Sequence, residues 1–377
     1  MAGIYTPTGS YIGWAPQSPS NGYGTQTNNA TGKWLAYSFI ARHASLNEVS
    51  LNVTSVTGSL TASQVTATTY ADVAGTGPDS GGTAIDTVNC SASLAAGKNT
   101  WNGMTGTYTV GAMYWVVFKN LHGTPASNFI TVRQGGSGVL VSIGTGTNIF
   151  WGQHFRISTD SGTGWNSANV VAGMSCMFGY NTSGTAIWDG ILPGSSGTST
   201  SYPVYSTREA GVVFTTPATG NINAAGLCFF IGGKQGTPTA NIRFRLYNGT
   251  SLVDTTTSVA PGRIGGGWVP LLFSTTNTLA ANTTYRITYA EETNSDTSSN
   301  YYYSYAYTML TDTNARSMLP FNGTCKITYY DGSSWTDTND QIFPFAILCD
   351  NTAVIQASGS STNPVGMITG VRAPGSW

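Results

Sequence analysis

The chain has 377 residues, of which only 8% are charged, with 15 Lys and Arg set against 16 Asp and Glu. Soluble domains usually carry about 25% charged residues. The near-neutral balance excludes a nucleic-acid or membrane partner held by electrostatics, and no run of about 18 apolar residues offers a membrane-spanning helix.

Gly, Ser, Thr and Asn replace the missing charge, and aromatic residues reach 12%. Such a chain folds, with a polar but uncharged surface. Taken in order, residues 1–29 form a Ser/Gly/Asn/Pro-rich N-terminal arm carrying Tyr5, Tyr11 and Trp14. Its opening, MAGIYTPTGSYIGW, lacks a basic stretch followed by an apolar core, so no secretory signal is expected. A first domain spans 30–180, with strands predicted at 35–40, 48–56, 63–70, 112–119, 128–133, 154–158 and 170–178. Residues 181–220, rich in Gly, Ser, Thr and Pro, are expected to hold a linker and the first strand of a second domain. That domain spans 221–350, with further strands at 227–231, 241–247, 269–273, 284–290, 300–308, 324–330 and 342–348. A C-terminal arm, 351–377, carries Val354, Ile355, Ile368 and Trp377. Arms of this kind, with aromatic anchors and little structure of their own, suit segments exchanged between subunits.

The two domains read as an internal repeat of about 170 residues. FRISTDSGTGW (155–165) matches CKITYYDGSSW (325–335), and MYWVVFKN (113–120) matches TYRITYAE (284–291). SNFITV (127–132) falls on SNYYYS (299–304), and Trp101 on Trp268. Upstream, 30–39 is set against 218–230, and 48–53 against 241–246. Short strands at close spacing, with turn signals between them and no long helical period, predict an all-β protein. The expected architecture is two tandem antiparallel β-sandwich, jelly-roll-like domains with extended terminal arms.

Residues able to do chemistry are sparse. His43, His122 and His154 form no metal-binding motif, no CxxC joins Cys90, Cys176, Cys228, Cys325 and Cys349, and no GxSxG elbow occurs. Asp160 and Asp331 open matching turns, where a carboxylate accepts backbone N–H bonds without any catalytic role. Glu291 and Glu292 are adjacent at a strand end and should point to opposite sides. Asp312, Asn314, Asp337, Asn339 and Asp340 lack the glycine and terminal glutamate of a calcium loop. No catalytic residue, metal or cofactor is therefore expected, and the chain reads as a non-enzyme.

The outstanding segment is NYYYSYAYTM (300–309), which puts tyrosines at 301, 303, 305 and 307. On a strand these four share one face. The repeat sets Ile130 and Val132, a natural core pair, against Tyr302 and Ser304; in that register the odd-numbered tyrosines face away from the core, and a one-residue slip would bury them instead. Tyr301, Tyr303, Tyr305 and Tyr307, with Trp165 and Trp335 beside the two matching turns, are the candidates for a subunit interface or a glycan platform.

Strand–turn–strand runs such as KITYYDGSSWTDTNDQIFPFAI (326–347) and LYNGTSLVDTTT (246–257), together with the low charge, resemble bacteriophage virion accessory proteins. These include capsid decoration proteins, head fibres and tail fibres. The resemblance implies a structural role in the virion, a homo-oligomer with a trimer favoured, contacts with capsid or tail proteins, and synthesis in the host cytoplasm. The alternative is a carbohydrate-binding protein, either a phage adhesin or a bacterial surface lectin that recognises a host glycan.

Overall fold

The computed structural model describes residues 11–17, 24–73, 77–134, 155–166, 176–182, 185–218, 220–309, 319–323, 325–339 and 341–349. Among them there is no α-helix, and only two single-turn 3-10 helices, Ala62–Gln64 and Pro261–Arg263, interrupt the strands. The strands begin with β1 (Tyr11–Gln17), β2 (Gly24–Thr27), β3 (Trp34–Ile40), β4 (Glu48–Thr57), β5 (Val65–Ala71) and β6 (Asp86–Asn89). They continue with β7 (Gly97–Asn102), β8 (Met113–Asn120), β9 (Phe129–Gln134), β10 (Phe155–Ser158) and β11 (Cys176–Thr182). Next come β12 (Thr185–Val204), β13 (Glu209–Thr215), β14 (Ile222–Ile231), β15 (Gly233–Gln235), β16 (Ile242–Asn248), β17 (Ser251–Thr255) and β18 (Gly267–Leu279). The last are β19 (Thr284–Glu291), β20 (Tyr301–Met309), β21 (Lys326–Tyr330), β22 (Trp335–Thr338), β23 (Gln341–Ile342) and β24 (Phe345–Cys349).

Each strand turns alternate side chains to opposite faces, and that alternation builds two sandwiches. In β8, Tyr114, Val116 and Phe118 enter the first core, while Trp115 and Val117 join a smaller cluster on the outer face. The sheet β10-β3-β8-β5-β6 packs this core against β4, β7, β9 and β11. Trp101 fills its centre, fully buried, and its indole N–H donates to the Val65 carbonyl at 2.8 Å. The second core lies between the sheet β17-β16-β19-β13-β21-β22 and a face built from β14, β18, β20 and β24. Burying each large apolar side chain of this kind contributes about 1.5–3 kcal/mol.

The pairing order of the first unit recurs in the second. In the first, β8 lies between β3 and β5; in the second, β19 lies between β13 and β16. Outside them, β10 and β6 take the places of β21 and β17. Strand β4 pairs with β7 and β11 as β14 pairs with β18 and β24. Two sequence correspondences are corrected by this order. The place of 34–40 is taken by 209–215, not by 218–230, and that of 48–57 by 222–231, not by 241–246. Short Ala/Gly/aromatic strings recur throughout this composition, whereas long-range hydrogen bonding decides which strand is equivalent to which.

The terminal and connecting segments also differ from expectation. Residues 11–17 of the expected N-terminal arm form a strand inside the sheet of the second unit. That strand, β1, pairs antiparallel to β24 and parallel to β12. Strand β2 pairs with β9 of the first unit. Instead of a loose linker, 185–204 is a 20-residue strand that pairs with β11 at one end and with β20 at the other. The result is one 13-stranded sheet running through both units. A buried ion pair, Arg42 Nε to Asp189 Oδ2 at 3.2 Å, fastens β12 to the β3–β4 connection. The expected C-terminal arm, with His154, Asp312, Asn314 and Asp340, lies outside the described residues.

Candidate functional site

Strand β20 owes its form to its aromatic residues, which suit a pleated, half-buried surface. Its register is set from both sides. Tyr303, Tyr305 and Tyr307 lie opposite Pro203, Ser201 and Ser199 of β12, and Tyr301 and Tyr303 opposite Gln235 and Gly233 of β15. Tyr302, Ser304 and Ala306 are fully buried. The Tyr302 hydroxyl donates to the Ala240 carbonyl at 2.7 Å, and the Ser304 hydroxyl donates to that of Phe230. This leaves Tyr301, Tyr303, Tyr305 and Tyr307 half-buried on the opposite face.

The four rings form a continuous row, with centroids 6.3, 5.4 and 6.3 Å apart. Glycine makes room for it. A Cβ on Gly233 would sit 2.7 Å from the Tyr303 hydroxyl, and one on Gly232 would sit 3.0 Å from the Tyr305 ring. The rings therefore lie down over bare backbone instead of projecting. On the other side Ser199 and Ser201 are exposed beside the row, while its Tyr307 end packs against the second core opposite the buried Ile342. Burial, followed by the neighbouring Tyr305 phenol, pushes the Tyr303 phenol up, and burial does the same to Tyr307. Both stay neutral hydrogen-bonding groups at any ordinary pH.

The row is longer than the sequence suggested. The turn between β12 and β13 brings Tyr205 to 6.2 Å from Tyr301, and the Arg208 guanidinium lies 4.6 Å over the Tyr205 ring. Arg208 also donates to the Tyr329 hydroxyl at 3.0 Å. A positive charge thus closes one end of a five-ring row. Nothing in the local sequence marks Tyr205, because only the β12–β20 pairing delivers it there.

Trp165 and Trp335 do not join this surface. Trp165 is a partly buried member of the outer cluster with Trp34, Tyr70 and Trp115, and its indole N–H donates to Ser80 Oγ at 3.1 Å. Trp335 packs on Tyr247 and Tyr330 under the Arg286 guanidinium. Both are built into the outer faces of their own units.

The acids divide by environment. Asp331 accepts from the Ser333 and Ser334 amides at 2.8 and 2.9 Å, which lower its carboxyl to about 2. Asp160 is likewise lowered, by the Gly164 amide and the Ser158 hydroxyl. Each is a turn acceptor. Asp337 is held by Arg286 Nη2 at 2.7 Å and by the Thr328 hydroxyl. Among the described residues no group of three or more His, Cys, Asp or Glu could hold a metal ion.

Glu291 and Glu292 do face opposite ways. Glu292 accepts from Asn241 and pairs with Arg243. Glu291 is fully buried, and its partner, which sequence reading passed over, is Asp296. The signal lies in the loop between them, where Asn294 takes φ 53 and turns the chain back. No protein-family model matches this chain, and comparison with curated proteins finds no match either.

Proposed function

We propose that this chain is a non-enzymatic structural protein of a virus particle, a phage capsid decoration or fibre protein whose contact face is the tyrosine row. The observation that carries this reading is the row Tyr205–Tyr301–Tyr303–Tyr305–Tyr307, half-buried along one face of a strand inside a continuous sheet, in a chain with very little charge. Rings braced by backbone lose little freedom on binding, and their hydroxyls take a partner's polar groups, which is how tyrosine serves protein interfaces. A contact made this way depends little on salt. Low surface charge and dense strand pairing suit a part that remains exposed outside cells.

Mass spectrometry of density-purified virus particles tests the reading. Recovery at a copy number comparable to the shell subunit supports decoration, and a copy number comparable to tail components supports a fibre. Absence from the particles overturns the virion role. A second reading, glycan recognition, rests on the exposed hydroxyls of Ser199 and Ser201 beside open ring faces, a layout in which a sugar can stack and hydrogen-bond. Retention on a glycan array that is lost in a Tyr303→Ser/Tyr305→Ser variant would favour it.

A further inference from the structure

Glu291 and Asp296 are buried neighbours beside the turn that carries Tyr205, joined to it by the Ser206 amide. Glu291 Oε2 accepts from the Ser206 amide at 3.1 Å and from the Asp296 amide at 3.2 Å. Its other oxygen, Oε1, is buried with no hydrogen-bond donor. Asp296 accepts from the Thr239 amide and hydroxyl and from the Ala240 amide at 2.8, 3.1 and 3.1 Å, which leaves one acceptor site on Oδ2. A buried carboxylate with an orphaned oxygen beside a second buried acid is unfavourable unless it carries a proton.

We propose that Glu291 is held protonated beside Asp296 and acts as a pH-operated latch between two segments. One segment is the turn 205–208, which carries Tyr205 and Arg208, and the other is the loop 293–300, which leads into Tyr301. Glu291 grips the first through Ser206 and the second through Asp296, so a single proton orders the end of the tyrosine row.

The surroundings agree. Desolvation, aided by the charge of Asp296, raises the Glu291 carboxyl to about 7. From β20 the neutral Tyr302 phenol faces the pair. From β16 the Arg245 guanidinium reaches only the Glu291 backbone carbonyl, at 3.1 Å, and is itself paired with Glu209. Glu292 and Arg243 face the other way, onto each other. No cation is placed to neutralise a second carboxylate among these partners. The sign follows from the raised value. The latch is fully closed below the ordinary carboxyl range near 4.5 and loosens as pH rises through about 7.

Hydrogen exchange of the full chain at pH 5.5 and 8.5, corrected for intrinsic rates, tests this. The amides of 205–208 and 293–301 should exchange at least about tenfold faster at the higher pH, the effect of one pKa unit. In Glu291→Gln the side chain is neutral at every pH and its amide can donate to Asp296, so protection should persist at both values. Equal protection at both pH values in the native chain, or the same loosening in E291Q, would overturn the latch. Carboxyl-carbon NMR of the native chain decides independently of any variant. Titration of Glu291 above about pH 6 supports the protonated latch, and a midpoint at the ordinary carboxyl value refutes it.

Discussion

The outer faces of the two matching sheets, β10-β3-β8-β5-β6 and β17-β16-β19-β13-β21-β22, share one pairing order and carry opposite chemistry. On the first, Trp34, Ala36, Tyr70, Trp115, Val117 and Trp165 make a second small core. Its polar edges are closed by Asp72, which accepts from the Trp115 indole at 2.6 Å, and by Lys119, which lies 4.3 Å over the Trp34 ring. On the second, the buried Glu209 accepts from Arg245, from the Tyr247 hydroxyl at 2.8 Å and from the Thr288 hydroxyl at 2.6 Å. The Arg286–Asp337 pair extends that lattice beside Trp335. The inner faces of both sheets are mostly apolar, with Thr69 and Glu291 the buried polar residues in step with the core residues of β5 and β19. Strand order therefore follows from the shared inner core, and the outer face is free to be filled with aromatics or with a hydrogen-bonded ion cluster.

The largest effect should come from the polar face. Glu209→Ala leaves the Arg245 guanidinium and two hydroxyls without their acceptor, at a cost of about 3–5 kcal/mol by urea denaturation. A loss below about 1 kcal/mol would show that this lattice behaves like ordinary solvated surface. On the aromatic face, Trp115→Phe removes the indole bond to Asp72 and opens a void. We expect a loss of about 1–3 kcal/mol, read in the same denaturant series. Should it exceed the Glu209 variant, the contrast between the faces would be reversed in energy. The smallest effect belongs to the Asp331 turn. Its lowered carboxyl adds stability above the ordinary value of 3.8 that is lost as pH falls toward about 2. Asp331→Asn should therefore flatten the acid limb of a thermal-stability profile between pH 4 and 2 and leave its other limb unchanged.

Much of this was legible from residue patterns. The strands at 48–57, 113–120, 284–291 and 301–309 announce themselves by β-branched and aromatic runs bounded by glycine and asparagine. The shared face of the tyrosines followed from alternation, while its outward direction hung on a register that the burial of Tyr302, Ser304 and Ala306 decides. Asp160 and Asp331 read as turn acceptors because a short carboxylate ahead of Gly and Ser has local amides to take. What escaped was everything delivered by distant pairing. Tyr205 and Arg208 reach the row only because β12 runs alongside β20. Trp165 is drawn into a cluster by Ser80 and Trp34, and Asp296 meets Glu291 through a left-handed turn at Asn294.

By itself the sequence determined the all-β class, most strand positions, the scarcity of charge and the shared face of four tyrosines. All of these depend on neighbours within a few residues, through side-chain alternation, turn chemistry and composition. Only the tertiary structure decided that 185–204 is a strand joining both units, that β1 lies in the second unit's sheet, and that the tyrosine row ends on Arg208, in a turn held by the buried Glu291. Those features rest on hydrogen bonds between segments far apart in the chain, and no local propensity specifies which edges meet.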